Sequence, residues 1–427
     1  MATDRVNSIL KHLSPDSPLA TITSKNPDDV VITLAVRTPL CKGKKGGFKD
    51  TSVEYLMYAI LKAARERLGF SPDLVEDICM GNKRRSLTPT FGVQVSDGKA
   101  AYKARAAALA AGFPNTTSAS SVNRFCSSGL KATADIAHQI TSGSIEIGIA
   151  AGTESMTAGG DALEQPFDKE VTKHSQEADD CMMAMGWTSE NVARDFGISR
   201  QVVDEFAAES FRRAEVAQKA GFFDDEIAPI TTKIKGPDGQ VKTVTLTRDE
   251  GIRPGTTAVG LGKIRSAFTQ WGPITTGGNA SQVTDGAAAV VLMKRSKAVE
   301  LGLPILAKYV GSTVAGLAPR IMGIGPTVAI PKLLKQHNIT IDDVDVIEIN
   351  EAFGTMAVYC RDFLKLDWTK MNPRGGAIAL GHPLGATGTR QIVTGLSELR
   401  RTKKKVLLTS MCIGTGMGMA GLFVNEQ

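Results

Sequence analysis

The sequence predicts an α/β protein assembled from two related half-domains, and three observations carry that expectation. From Val30 onward, short apolar runs of strand length (VVITLAV, IEIGIAAG, AAAVVLM, VDVIEIN, VLLTSM) alternate with longer segments of helical periodicity. Aromatic residues make up only 5% of the chain whereas glycine occurs 43 times, so the interior is to be packed from Ala, Val, Ile and Leu and joined by tight turns. The third observation is an internal echo, in which Asp73–Asn82 (DLVEDICMGN) resembles Asp342–Glu351 (DDVDVIEINE) at an offset of 269 residues. Each copy runs towards a glycine-containing loop, the first bearing Cys126 and the second His382, which two related halves would present face to face.

The first residues, MATDRVNSILKHL, place Arg5 and His12 on one helical face beside an apolar stripe of Val6, Ile9, Leu10 and Leu13. The spacing of Arg5-Val6 and His12-Leu13 is similar to the N-terminal type of peroxisomal targeting signal, an address read by an import receptor, and the expected compartment is therefore the peroxisome. Residues 14–28 are polar and Pro-rich, which reads as a linker, so that 1–28 forms a leader and linker ahead of the fold. The next segment, 29–155, pairs with 284–304 as a first α/β domain, and 305–427 forms a second. Between them, 156–283 is richer in charge and helix and reads as an inserted region of the kind that carries substrate contacts.

Near the C-terminus the uncharged stretch Val406–Val424 has the length of a membrane span, but its glycines break it into two buried strands, VLLTSM and MAGLFV, joined by a turn. Glycines at 414, 416, 418 and 421 are expected where backbone packs closely. The formal GxGxxG of Gly416, Gly418 and Gly421 lacks both the following helix and the later acid that a dinucleotide needs. Arg400–Lys405 (RRTKKK) reads as a solvated loop.

Composition narrows the chemistry. A net charge of +6, from 50 basic and 44 acidic residues, is too mild for a nucleic-acid footprint and suits a small anionic ligand. The six cysteines lack CxxC pairing and the five histidines lack ligand spacing, so neither a disulfide framework nor a metal centre is expected. Reactivity must come from side chains. Cys126, in VNRFCSSGLKATADIAHQI, is expected at a helix N-terminus, where unpaired N–H groups and the dipole favour a thiolate. His382, in GGAIALGHPLGATG, sits in a glycine-dense loop before another helix, an environment that keeps an imidazole available as a base. Asn350 and Glu351 end the strand VDVIEIN, where an amide either faces a ligand crevice or caps the next helix. Cys412, in SMCIGTGMG, is flanked by glycines expected to expose its sulfur and the Gly414 N–H.

The strings NRFCSSGL, AGTESM, GNASQVTDGAAAV, NEAFG, GGAIALGHPLGATG and SMCIGTGMG, in this order from about residue 30 to the C-terminus, resemble those of the thiolases. The resemblance implies the thiolase fold, a five-layered αβαβα arrangement of two related half-domains with an inserted loop domain, normally as a homodimer. It implies cleavage of a 3-ketoacyl-CoA by CoA, with CoA as co-substrate and no permanently bound cofactor. On that pattern His382 takes the proton of Cys126, whose thiolate attacks the keto carbon, while Cys412 protonates the departing enolate and later deprotonates CoA. One oxyanion would be held by Asn350 with a water and by His382, the other by the Cys126 and Gly414 N–H groups. Arg253 (GIRPGTT) and Ser281 (GNASQ) would contact the nucleotide and pantetheine of CoA. The leader favours the degradative, fatty-acid β-oxidation branch over biosynthetic acetoacetyl-CoA thiolases, SMCIG argues against ketoacyl synthases, and the joint presence of Cys126, His382 and Cys412 argues against a non-catalytic acyl-CoA-binding protein. Three features depart from the pattern: Phe125 stands where Gln is common, Gly354-Thr355 where Ala-Ser is expected, and Gly81–Ala101 is long.

Overall fold

The computed structural model describes residues 17–82, 99–158 and 168–427. One sheet runs through the molecule. Its strands are β1 (Val30–Arg37), β2 (Cys41–Lys42), β3 (Asp77–Gly81), β4 (Ser118–Val122), β5 (Ile147–Ser155), β8 (Thr284–Lys294), β9 (Ala307–Gly316), β10 (Val346–Ile349), β11 (Val406–Ile413) and β12 (Met417–Asn425); β6 (Ile230–Lys235) and β7 (Val241–Leu246) form a separate hairpin. The order across the sheet is β4-β3-β5-β8-β1-β9-β12-β11-β10, with β2 on β8.

The two halves repeat one topology. In the first, β4, β3 and β5 are parallel and β8 and β1 follow antiparallel. In the second, a bridge at Met371 takes the place of β4, parallel to β10 and β11, with β12 and β9 antiparallel beyond. The echo of Asp73–Asn82 and Asp342–Glu351 thus falls on equivalent strands, β3 and β10. The halves join edge to edge through β1 and β9, at Val31–Lys308 and Ile32–Ala307.

Alternation along the strands builds five layers. On β8, Ala287, Ala289, Val291 and Met293 face one outer layer, containing the helices Val53–Arg65 and Ala100–Ala110, while Ala288, Val290 and Leu292 face the centre. On β11, Leu407, Met411 and Ile413 face the same centre, and Val406 and Leu408 face the opposite outer layer of Arg200–Lys219, Pro326–Gln336 and Gly354–Phe363. Between the two halves of the sheet lie only the helices Ser128–Thr141 and Thr387–Thr402 among the long helices described, and they pack on each other. Their contact admits no side chain: a methyl at Gly388 would stand 2.4 Å from Leu130 N, and one at Gly129 2.8 Å from Thr389 N. The crossing brings the N-terminal ends of the two helices, and the loops before them, to one place.

The chain leaves the sheet at Ser155 and re-enters at Thr284. Within the insertion the expected helices are present, but so is the β6–β7 hairpin, which the charge-based reading overlooks; its signal is the turn sequence GPDG between alternating strands. The insertion is tied to both halves by buried ions. Arg37 bonds Glu226 at 2.6 Å and Asp249 at 2.7 and 2.9 Å, and Arg374 bonds Glu226 at 3.2 Å and Glu398 at 2.7 Å.

Three expectations are corrected. The linker is not a solvated spacer from Ser17 onward: Ser17 caps a helix, Pro18–Thr23, whose Leu19 and Ile22 are buried, because a capping serine before proline starts a helix as readily as a loop. The basic run is not a loop throughout, since Arg400 and Arg401 end the helix Thr387–Thr402, where the dipole favours cations, and Lys403 closes it at φ +54°. Close packing accounts for Gly416, Gly418 and Gly421 but not for Gly414, whose added methyl would meet nothing nearer than 3.8 Å. The targeting residues Arg5, Val6, His12 and Leu13, and most of the long Gly81–Ala101 segment, lie outside the described residues. Among the described residues no helix is long and apolar enough to cross a membrane, and the uncharged C-terminal stretch forms β11 and β12.

If the central crossing is as tight as its geometry indicates, Gly388→Ala lowers stability by about 1–3 kcal/mol through overpacking. Gly277→Ala, where nothing lies within 4 Å, changes it by less than about 0.5 kcal/mol. Urea unfolding midpoints of the two variants check this, and equal midpoints would show the crossing to be slack.

Candidate active site

Cys126 sits in the short 3-10 turn Phe125–Ser127 that feeds directly into the helix Ser128–Thr141. The motif around it locks the turn. Phe125 N donates to Asn123 Oδ1 at 2.9 Å, Arg124 N donates to Ser128 Oγ at 3.0 Å, and Ser128 Oγ donates to Phe125 O at 2.6 Å. Phe125 takes φ +49°, a left-handed conformation that costs a bulky residue about 1–2 kcal/mol. The cysteine is thereby turned inward and is only 5% exposed, at the N-terminal end of a helix dipole. The turn packs against both β11 and the helix Thr387–Thr402.

His382 follows Gly381, whose φ of +106° and whose distance of 2.1 Å from a would-be methyl to Thr284 Oγ1 exclude any other residue. Its ring is held at both nitrogens, Nε2 lying 3.2 Å from Asn350 Nδ2 and Nδ1 2.6 Å from Thr387 Oγ1. The Thr387 hydroxyl also donates to Pro383 O at 3.1 Å. With its single proton committed there, Thr387 accepts from Nδ1–H, and Nε2 carries the lone pair towards the Asn350 amide; this tautomer is assigned from the bonding pattern. An imidazole so held is ready to accept a proton at Nε2.

Asn350 directly follows β10, and its N–H bonds Ser410 O on β11 at 2.9 Å. The N-cap alternative is excluded, because Phe353 occupies that position for the helix Gly354–Phe363. Asn350 Oδ1 is buried without a protein hydrogen-bond partner, which leaves it as the acceptor for a water or a ligand. Its neighbour Glu351 is buried too, accepting from Ser210 Oγ at 2.7 Å, Asn372 Nδ2 at 2.7 Å and Ile378 N at 3.1 Å. Burial pushes the Glu351 carboxyl above its ordinary range, against the pull of those donors.

Cys412 is on β11 opposite Gly418, and its sulfur is not exposed as the flanking glycines suggested: at 1% exposure it packs with Val192, Met322, Ala352 and Met356. The glycines shape the following turn instead. Gly416 is at φ +85° with Leu317 O 2.2 Å from where a methyl would stand. Gly414 lies over Phe125 and Met185, so the turn after Cys412 covers the turn of Cys126.

Ser281 is beside this group, its N–H donating to Ala352 O at 3.0 Å, and the next residue accepts the His382 N–H through Gln282 O at 3.2 Å. Arg253 stands on an adjoining loop with its guanidinium 5.5 Å from the centre of the Phe211 ring; Gly251, two residues earlier, would place a methyl 2.5 Å from Ala379 O. The structure thus joins Asn350 and His382 directly, sets the Cys126 and Cys412 turns against each other, and puts Ser281 near and Arg253 further out. Sequence reasoning passed over Thr387, although its place on the first turn of the helix after His382 was a usable signal, and over Gln282, whose amide bonds the carbonyls of Gly251, Ile378 and Ala379. No disulfide joins any of the six cysteines, and among the described residues no group of three or more His, Cys, Asp and Glu is placed to hold a metal ion.

A duplicated α/β fold with a cysteine and a histidine at paired helix starts defines a class, and comparison with known proteins identifies it. Residues 30–296 match the thiolase N-terminal domain and residues 303–425 the thiolase C-terminal domain, so this chain belongs to the thiolase family. It is 49% identical over 426 residues to the peroxisomal 3-ketoacyl-CoA thiolase of Yarrowia lipolytica, covering 99% of this chain and 100% of that protein. To the human peroxisomal 3-ketoacyl-CoA thiolase it is 47% identical over 401 residues, 92% of this chain and 90% of the other. Among solved structures, the dimeric peroxisomal thiolase of Saccharomyces cerevisiae superposes with a TM-score of 0.85 at 45% identity, over 95% of this chain and 100% of that one. The human mitochondrial 3-ketoacyl-CoA thiolase in complex with CoA gives 0.80 at 34% identity, over 93% and 98%.

The grip on His382 makes one prediction. Thr387→Val removes the acceptor of Nδ1–H and should lower kcat about 10- to 100-fold, the worth of a hydrogen bond to a group that becomes charged. Steady-state kinetics beside a thermal melt check it; wild-type kcat in a folded variant would show that Thr387 does not fix the tautomer.

Proposed function

We propose that this chain is a 3-ketoacyl-CoA thiolase of fatty-acid β-oxidation, working as a homodimer in the peroxisome and cleaving its substrate with CoA through an acyl-cysteine on Cys126. The observation that carries the reading is the His382 imidazole fixed between Asn350 and Thr387, with Nε2 as its lone-pair nitrogen, in a loop that packs on the start of the helix after Cys126. Names and titles of relatives at 45–49% identity support the substrate class, compartment and dimer. The import receptor would be met through Arg5, Val6, His12 and Leu13. We divide the chain, as the sequence suggested, into 29–155 with 284–304, the loop domain 156–283, and 305–427.

In the first half-reaction the Cys126 thiol gives its proton to His382 Nε2 and the thiolate adds to the 3-keto carbon. The C2–C3 bond then breaks, leaving an acyl thioester on Cys126 and the enolate of acetyl-CoA, which takes a proton from Cys412. Protonation of Nε2 turns the ring from acceptor to donor there, so the Asn350 Nδ2–H can no longer point at it and is released towards the developing enolate oxygen. The N–H groups of Cys126 and Gly414 serve the oxyanion on the acyl carbon. In the second half-reaction the Cys412 thiolate takes the proton of incoming CoA, whose sulfur displaces the acyl group from Cys126, and the departing Cys126 thiolate takes its proton back from His382 Nε2. Arg253 and Ser281 would contact the nucleotide and pantetheine portions; an arginine beside an aromatic ring suits a phosphate or an adenine face.

Incubation of the protein with a 3-ketoacyl-CoA and no free CoA should add one acyl group to the Cys126 peptide by mass spectrometry, and Cys126→Ser should abolish it. Asn350→Ala should lower kcat by about 10²–10³, as for loss of one oxyanion donor. An unmodified Cys126 would leave an acyl-CoA binder rather than a catalyst, and turnover of acetoacetyl-CoA with nothing longer would overturn the β-oxidation assignment in favour of a biosynthetic enzyme.

A further inference from the structure

Beneath the Asn350–His382 contact lies a second buried pair that the mechanism does not use. Glu348 and Arg390 are each 1% exposed, and Glu348 Oε2 accepts from Arg390 Nη1 at 2.9 Å. Their positions relate them to the two residues that hold the imidazole. Glu348 is two residues before Asn350 on β10, hence on the same face of the strand, and Arg390 is three residues after Thr387, on the same side of the first turns of its helix. The next helical residue adds to the joint, with Gln391 Nε2 donating to Glu348 O at 3.0 Å and to Ser410 O at 3.3 Å.

We infer that Glu348 and Arg390 are positioning residues for His382, an ion pair that fixes the spacing between the strand carrying Asn350 and the helix carrying Thr387 and balances the charge behind the ring. The pair is ill suited to a purely stabilising role. It makes one hydrogen bond rather than a bidentate fork, and Glu348 Oε1, Arg390 Nε and Arg390 Nη2 are buried with no protein partner. Two buried charges joined in that way are often replaced by apolar groups at no loss of stability. Their place one strand step and one helical turn from the two ring contacts is what gives them work in the reaction.

The surrounding charges are few and can be named. Glu348 faces Arg390 and feels the carboxylates of Glu351 and Glu226; desolvation pushes its carboxyl up and Arg390 opposes that. Around His382, Glu154 on β5 accepts from Gly385 N at 3.1 Å, Glu351 holds the Ile378 N–H, and the start of the helix after Cys126 meets the His382 loop at Gly129 and Gly385 O. In Glu348→Gln the Arg390 cation loses its partner and disfavours the imidazolium, which moves the His382 ionisation to lower pH.

The inference rests on the thiolase reading above, and wild-type thiolysis measured in the same assay separates the two: no wild-type cleavage refutes that reading, whereas the variants test this one. We expect Glu348→Gln to lower kcat about tenfold with KM for CoA within about twofold. The acid limb of its kcat/KM profile should shift down by about half a pH unit or more. Glu348→Gln/Arg390→Met, which removes both charges and folds even if the single variant does not, should return the limb to within about 0.2 units of wild type while kcat stays low. The inference is overturned if these folded variants keep wild-type kcat, or if kcat falls only in step with the melting temperature while the acid limb stays in place in Glu348→Gln.

Discussion

Everything at the centre of this molecule depends on two helix starts crossing without side chains between them. Gly129 and Gly388 allow backbone to meet backbone, so the loops ahead of both helices share one location although they come from opposite halves of the chain. Each helix is sandwiched between the two halves of the sheet, and the N-terminal ends of both meet at the crossing. A thiol is served by one dipole, and the imidazole loop is anchored by the other helix through Thr387. Move the crossing by the width of a methyl group and the Cys126 turn no longer lies against the elements that carry His382 and Cys412.

The duplicated topology explains why so few residues suffice. Both halves supply the same architectural position, a loop entering a central helix, but they fill it with different side chains: a cysteine in the first and a histidine in the second. The second half also supplies Asn350 and Cys412 from adjacent strands, β10 and β11, whose parallel pairing holds the Asn350 N–H on Ser410 O. The insertion is not a passive appendage. Through Ser210 it reaches Glu351, and through Glu226 and Asp249 it binds Arg37 and Arg374, so its folding is tied to the same core.

Much of this was legible in the chain. Strand-length apolar runs gave β1, β5, β8, β10, β11 and β12, because strands buried on both faces are written as uninterrupted Val, Ile, Leu and Ala. The echo of DLVEDICMGN and DDVDVIEINE marked the repeat, since equivalent strands in equivalent layers keep equivalent patterns. What escaped was decided by partners far away in sequence. Leu19 and Ile22 look like linker residues until the C-terminal half offers them a surface. The sulfur of Cys412 looks open beside its glycines, yet Met322 and Met356 cover it. Thr387 reads as one small residue among several, and only the fold reveals which threonine receives the ring.

Phe125 shows how such a site tolerates sequence change. Its backbone is bent into the left-handed region and held there by Asn123 and Ser128, while its ring is only partly buried, over Gly414. Geometry at this position is enforced by the neighbours and not by the side chain it carries. The residue ahead of Cys126 is consequently a side chain mounted on a bend that its neighbours hold: exchanging it alters the surface beside Gly414 and leaves the turn of the cysteine in place.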